Sequence, residues 1–198
     1  LAVGSGFAVQ PVFLINLKDG NRRRLRSNMP LGEERETFAV DFGLRYAPDG
    51  SRLLVNGVHL FDSQSGNRLA CARQDPGPFT FSADGLQLAL THDNDRIDIL
   101  NHQLSGAFPI VSKKFSTGGV AMGGSFSPDS STFVTVLPAV EGGELGSLAL
   151  IDVETFETKQ PLEDAMNITR AVFLPDGQIA YGDASGTLTI FDRDTGER

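Results

Sequence analysis

One short phrase occurs four times in the chain: Tyr46-Ala47-Pro48-Asp49-Gly50, Phe81-Ser82-Ala83-Asp84-Gly85, Phe126-Ser127-Pro128-Asp129-Ser130 and Phe173-Leu174-Pro175-Asp176-Gly177. In each, an aromatic stands three residues before an aspartate, and Asp49, Asp84, Asp129 and Asp176 step by 35, 45 and 47 residues. The aromatic closes a strand and points into a core. Pro48, Pro128 and Pro175 preset φ for a tight turn that Asp and Gly complete. A short apolar strand follows every phrase, at 52–55, 86–90, 132–136 and 178–181.

A second anchor comes after that strand. It is a period-2 run ending in Asp or Asn: 58–62 to Asp62, 97–101 to Asn101, 148–152 to Asp152, 188–192 to Asp192, and an upstream copy, 12–16, to Asn16. Glycine stands four residues on at Gly20, Gly66 and Gly196, and five on at Gly106; the fourth repeat reads Asp152-Val153-Glu154-Thr155-Phe156 and lacks it. The anchor side chain can bond amides of the turn that follows. A polar fourth segment, such as 67–70, reads as an exposed outer strand. Four short strands per ~40 residues is the spacing of a propeller blade. A β-sandwich also has many short strands, but it does not repeat its turn chemistry at a fixed period. The sequence therefore predicts an all-β chain, a β-propeller of four-stranded antiparallel blades. About five blades lie in one domain or fragment over 1–198, with no helix longer than two turns. The aromatics Phe81, Phe126 and Phe173, with Tyr46 in the equivalent place, are expected between adjacent blades.

The repeat resembles the WD-repeat β-propeller family. The matching pieces are Ser127-Pro128-Asp129, Ser82-Ala83-Asp84-Gly85 and the stretch from Gly186 to Glu197, where Phe191-Asp192 stands at the family's Trp-Asp dipeptide. The chain has no Trp and no Gly-His pair, and its only histidines are His59, His92 and His102. The family's Asp-His-Ser-Trp tetrad therefore cannot form, and the blades must rely on apolar packing and ladder hydrogen bonds. The first repeat has only its later strands and the last stops before an outer strand. By resemblance this implies part of a larger, six- to eight-bladed ring within the usual ~4–8. The first residue is Leu rather than Met, which suggests a piece of something longer.

The formal net charge is −8 and the isoelectric point about 4.8. An acidic chain argues against nucleic acid and anionic membrane as partners. One cysteine, Cys71, excludes an internal disulfide framework and leaves the compartment open; the cytoplasm is favoured. No G-x-S-x-G elbow is present. The densest acidic run, Asp93-Asn94-Asp95-Arg96-Ile97-Asp98, lacks the Gly and distal Glu of a calcium loop and reads as a solvated turn, with Asp98 on an outward strand position. Arg22, Arg23, Arg24 and Arg26 read first as edge protection and second as a docking patch. Glu33-Glu34 and Glu141 to Glu144 fall in loops. The sequence thus predicts no metal, no cofactor and no catalytic residue.

By resemblance, one face of the disc carries the turns between the second and third strands of each blade and the connections between blades. Asp93, Asp95, Arg96, Glu141, Glu144 and Asp183 are expected there, with Glu33, Glu34 and Arg35 on the same rim. Acids are expected to gather at these turns. The implied function is a non-enzymatic protein–protein interaction or scaffold module, with a protein or peptide partner of basic character. Two alternatives stand beside it. One is a lactonase- or hydrolase-like propeller enzyme with its site at the central channel, where only Arg45 and Arg170 stand out on the innermost strands. The other is a regulatory or sensor domain fused to a kinase or NTPase. Oligomeric state is open.

Overall fold

A computed structural model describes residues 2–3, 13–25, 44–55, 59–71, 79–92, 96–101, 110–114, 123–137, 146–159, 162 and 167–198. Among them there are strands and turns and no helix. The strands form five antiparallel meanders in which chain neighbours are sheet neighbours. The first holds β1 (Ala2–Val3), β2 (Phe13–Ile15) and β3 (Arg22–Arg24). The second holds β4 (Leu44–Tyr46), β5 (Arg52–Val55), β6 (His59–Asp62) and β7 (Arg68–Cys71). The third holds β8 (Phe79–Phe81), β9 (Gln87–His92), β10 (Arg96–Asn101) and β11 (Ile110–Lys114). The fourth holds β12 (Gly124–Phe126), β13 (Thr132–Leu137), β14 (Ser147–Asp152) and β15 (Thr158–Lys159). The fifth holds β16 (Ile168–Phe173), β17 (Ile179–Asp183) and β18 (Leu188–Phe191). The chain divides into two compact units, Leu1–Pro76 with the first two sheets and Gly77–Arg198 with the other three. Strands of a four-stranded sheet are called a to d in chain order; by their anchors, β1, β2 and β3 of the first sheet take b, c and d, and β16, β17 and β18 of the fifth take a, b and c.

The two anchors build the turns. At the a–b turn, the carboxylate of Asp49 takes the Ser51 amide at 2.9 Å, that of Asp129 the Ser131 amide at 3.1 Å, and that of Asp176 the Gln178 amide at 3.1 Å. At the c–d turn the pattern recurs in four sheets. Gly20, Gly66, Phe156 and Gly196 donate their amides to the carbonyls of Asn16, Asp62, Asp152 and Asp192. All four have positive φ, between 58° and 76°. The fourth repeat therefore makes the same turn without its glycine. Phe156 adopts the left-handed conformation itself, and its ring packs against the adjoining core.

In the second unit, two cores lie between successive sheets. Ala89, Ile97 and Ile99 of the third meet Phe126, Phe133, Ala149 and Ile151 of the fourth. On the other face of the fourth, Val134, Val136 and Leu148 meet Ile168, Ala171, Ile179, Tyr181 and Phe191 of the fifth. Strands β8, β12 and β16 are contiguous, and Phe126 is 7% exposed with its ring edge-on to Phe133, centroids 5.2 Å apart. Phe81 and Phe173 are half-buried. Tyr46 departs from expectation at 41% exposed. Side chains stitch sheets together as well. Ser125 Oγ accepts the Phe173 amide at 2.6 Å, and Ser130 Oγ accepts the Asp84 amide at 3.3 Å.

Candidate interaction site

A meander puts its b–c turns at one end and its a–b and c–d turns at the other. Most residues singled out for the b–c end, namely Asp93, Asp95, Glu141, Glu144, Glu33, Glu34 and Arg35, lie outside the described residues. Sequence position sets 93–95 between β9 and β10, 138–145 between β13 and β14, and 26–43 between β3 and β4. Arg96 and Asp183 are described, and both border b–c turns.

Arg96 opens β10 with its guanidinium engaged. Nε donates to Asp98 Oδ1 at 2.7 Å and Nη2 to Asp98 Oδ2, and this bonding raises the Arg96 pKa. Asp98 is 2% exposed, which corrects the outward reading of that position. The cause is the neighbourhood of a c-strand. Ile97, Asp98, Ile99 and Leu100 are all buried, so neither face of β10 meets water and alternation no longer marks an exposed side. A carboxylate there needs a charged partner two residues along the same face. Asp183 closes β17 and shapes its turn: its carboxylate takes the Ser185 hydroxyl at 2.5 Å, the Ser185 amide at 2.9 Å and the Thr187 amide at 3.0 Å. Those bonds, led by the Ser185 hydroxyl, lower its pKa.

Among the described residues acids also stand at the opposite end, while Asp93, Asp95, Glu141 and Glu144 of the b–c turns lie outside them. Asp49, Asp62, Asp84, Asp129, Asp152, Glu154, Asp176, Asp192 and Asp194 all belong to a–b or c–d turns. Turn chemistry selects them, since a carboxylate two or three residues before an amide satisfies it. Asp129 shows the effect most strongly. The Ser127 hydroxyl, then the Ser131 amide and hydroxyl, hold its carboxyl down at about 2, with a smaller contribution from the Arg193 charge. Arg193 reaches across sheets, with Nη1 3.4 Å from Thr132 Oγ1 and its guanidinium carbon 5.5 Å from the Phe173 ring centroid. Nothing in the repeat pattern singled out Arg193; it follows the last anchor, where other repeats place Leu17, Ser63, His102 and Val153.

Arg45 on β4 and Arg170 on β16 are both exposed, one in each unit, and Arg170 Nη1 lies 3.3 Å from the Thr169 carbonyl. Among the described residues, no group of three or more His, Cys, Asp or Glu side chains is arranged to hold a metal ion.

No protein-family model and no curated protein sequence matches the chain. Solved structures do. A chain of the mitotic checkpoint complex superposes with a TM-score of 0.66 at 16% identity, over 95% of this chain and 58% of that one. The β-propeller domain of Cps50 (Swd1) from Myceliophteria thermophila gives 0.60 at 19% identity, over 79% of this chain and 52% of that one. Hydrazine synthase of Kuenenia stuttgartiensis gives 0.57 at 14% identity, over 91% and 59%. The fold is thus that of β-propeller blades. The chain spans between about half and three-fifths of the length of these structures.

Proposed function

We propose that this chain is a non-enzymatic interaction module of WD type, part of a single propeller, that docks a basic protein or peptide on the end carrying the b–c turns. Its contact residues are Asp93, Asp95, Glu141, Glu144 and Asp183, with Arg96 at the edge of the first of these turns and Glu33, Glu34 and Arg35 on the adjoining connection. One observation carries the reading: the polar residues that recur are used up in folding. The anchor carboxylates of Asp49, Asp62, Asp129, Asp152 and Asp192 accept turn amides of their own chain. What varies between repeats is the b–c segment. The fourth repeat spends 23 residues between its anchors (Asp129 to Asp152) where the second spends 13 (Asp49 to Asp62). Recognition in such arrays concentrates on loops of this kind, and insertions on one face often mark the binding face.

The likeness to a chain of a multiprotein complex supports this reading, while hydrazine synthase shows that the same fold also occurs in enzymes. The test is affinity capture from the native lysate with the wild-type chain and with Asp93, Asp95, Glu141 and Glu144 all changed to Ala, compared by mass spectrometry. We expect basic proteins lost from the variant's set, and an association rate that falls with salt. Identical sets would overturn this choice of face. Lactone or ester turnover that co-purifies with the chain and disappears on Arg45 or Arg170 substitution would favour the enzyme reading instead.

A further inference from the structure

The outer strand of the first sheet carries charge that its surroundings leave unused. β3 is Arg22-Arg23-Arg24, all exposed, in a chain of net charge −8. Leu25 pins the end of this strand to a core of Leu53, Val55 and Phe61, with Leu14 packed against it, so the arginines are presented on a fixed element. The hairpin turn before them adds the exposed Lys18.

The three arginines are not equivalent. Arg23 faces the second sheet. A Cβ on Gly66 would stand 3.3 Å from Arg23 Cδ, and the Arg23 charge adds to the Ser65 bonds that lower the Asp62 pKa. Arg22 and Arg24 alternate to the other face. Among the described residues, no hydrogen bond or ion pair involves either side chain. The backbone is available as well. The Asn16 amide donates to the Asn21 carbonyl at 2.9 Å, so the antiparallel ladder turns the Arg23 amide toward β2 and the amides of Arg22 and Arg24 outward. No described strand pairs on that side.

We propose that β3 is a docking edge for an acidic, extended segment of a partner protein. The segment adds as a strand beside β3 and sets alternate carboxylates against Arg22 and Arg24. Residues i and i+2 of a strand lie ~6.6–6.8 Å apart on one face, so Glu or Asp at every second position matches the pair. A polypeptide is favoured over nucleic acid because only another backbone satisfies the outward amides and carbonyls. Edge arginines also deter pairing with further copies of the same chain, since like charges would meet.

The proposal is independent of the b–c end, and its test uses a defined probe. A dye-labelled Glu-Val alternating octapeptide is titrated into the whole chain, with fluorescence anisotropy as readout. We expect saturable binding that weakens as salt rises, and a loss of at least ~10-fold for Arg22→Ala/Arg24→Ala, equivalent to ~1.4 kcal/mol. The control Lys159→Ala, exposed on the outer strand β15, should bind as wild type. An octapeptide of the same charge with alternate amides N-methylated should bind at least ~10-fold more weakly, because one strand edge is blocked. The side chains are exposed, so circular dichroism and the melt should match wild type. Absence of binding at low salt, equal binding by the double variant, equal binding of the N-methylated peptide, or equal binding of an oligothymidylate would each overturn the proposal.

Discussion

Leu148 and Leu188 occupy the same place in successive repeats, four residues before Asp152 and Asp192, yet one is 0% exposed and the other 72%. Leu148 on β14 lies opposite Val136 and packs with Ile168, Ile179 and Tyr181 of the fifth sheet. Leu188 on β18 shares the far face of the fifth sheet with Val172 and Ile190, and all three are exposed. Leu→Ala removes three carbons, worth about 2.4 kcal/mol at ~0.8 kcal/mol per buried carbon. A cavity term adds to that, so Leu148→Ala should cost ~3–4 kcal/mol, within the ~2–5 range of such truncations. Leu188→Ala should stay within ~0.5 kcal/mol. The chain has no Trp, so urea unfolding is best followed by circular dichroism in the strand band, fitting the transition of the Gly77–Arg198 unit. A loss below ~1 kcal/mol for Leu148→Ala would mean the β13–β14 register is wrong. An equally large loss for Leu188→Ala would mean that the far face of the fifth sheet is covered in solution.

Phe126→Ala should cost ~3–5 kcal/mol while Tyr46→Ala stays below ~1.5, the difference following burial rather than repeat position; denaturant melts of the two variants check this. Gly124→Ala should severely impair folding. Its Cβ would run into the Val134 carbonyl oxygen, and backbone cannot yield as a flexible side chain can; soluble yield and circular dichroism report it. Stability should fall with acid. Asp49, Asp62, Asp129, Asp152, Asp183 and Asp192 all have folded pKa values below the usual 3.8, so their contribution is full above that value and is lost as pH drops through the folded values, down to about 2 for Asp129. Thermal melts between pH 5 and 2 should therefore show the midpoint declining below about pH 4, less steeply in Asp129→Asn; a flat profile would contradict the turn assignments.

The turns were the most legible part of the chain, because they are local. Asp62 and Asp192 announce their own hairpins by accepting amides two or three residues on, and no tertiary knowledge is needed. Even Phe156 follows the turn, with Asp152 accepting the Thr155 amide as Asp62 accepts that of Ser65, despite the steric cost of a left-handed bulky residue. Burial was less legible, because it depends on the neighbouring sheet. Tyr46 and Phe126 look alike in sequence, yet Phe126 enters the core shared by the third and fourth sheets and Tyr46 is 41% exposed. Asp98 misled for a related reason: alternation predicts exposure only when one face of a strand is wet, and residues Ile97 to Leu100 of β10 are buried on both. The signal that could have placed it was Arg96, two residues away on the same face of β10. Of the candidate contact residues, only Arg96 and Asp183 are described, and each acts first within its own turn or strand.

Net charge proves a poor guide to the partner's sign in a fold of this kind. The acids of the second unit sit at turn ends because turns need amide acceptors, as at Asp129 and Asp152. Cations are placed by a different need, since outer strands benefit from charge that discourages edge pairing, as at Arg22–Arg24 and Lys159. A strand of five residues is ~16 Å long at ~3.3 Å per residue, whereas exposed charges are screened beyond ~8 Å at physiological salt. One end of a blade therefore barely feels the other, and each surface presents its own local field. The carboxylates offered to a basic partner, Asp93, Asp95, Glu141 and Glu144, belong by sequence to the third and fourth sheets and the arginines of β3 to the first, so the two proposals engage different sheets of one chain. Substitutions at one surface should leave the salt dependence of binding at the other unchanged, which separates the two proposals experimentally.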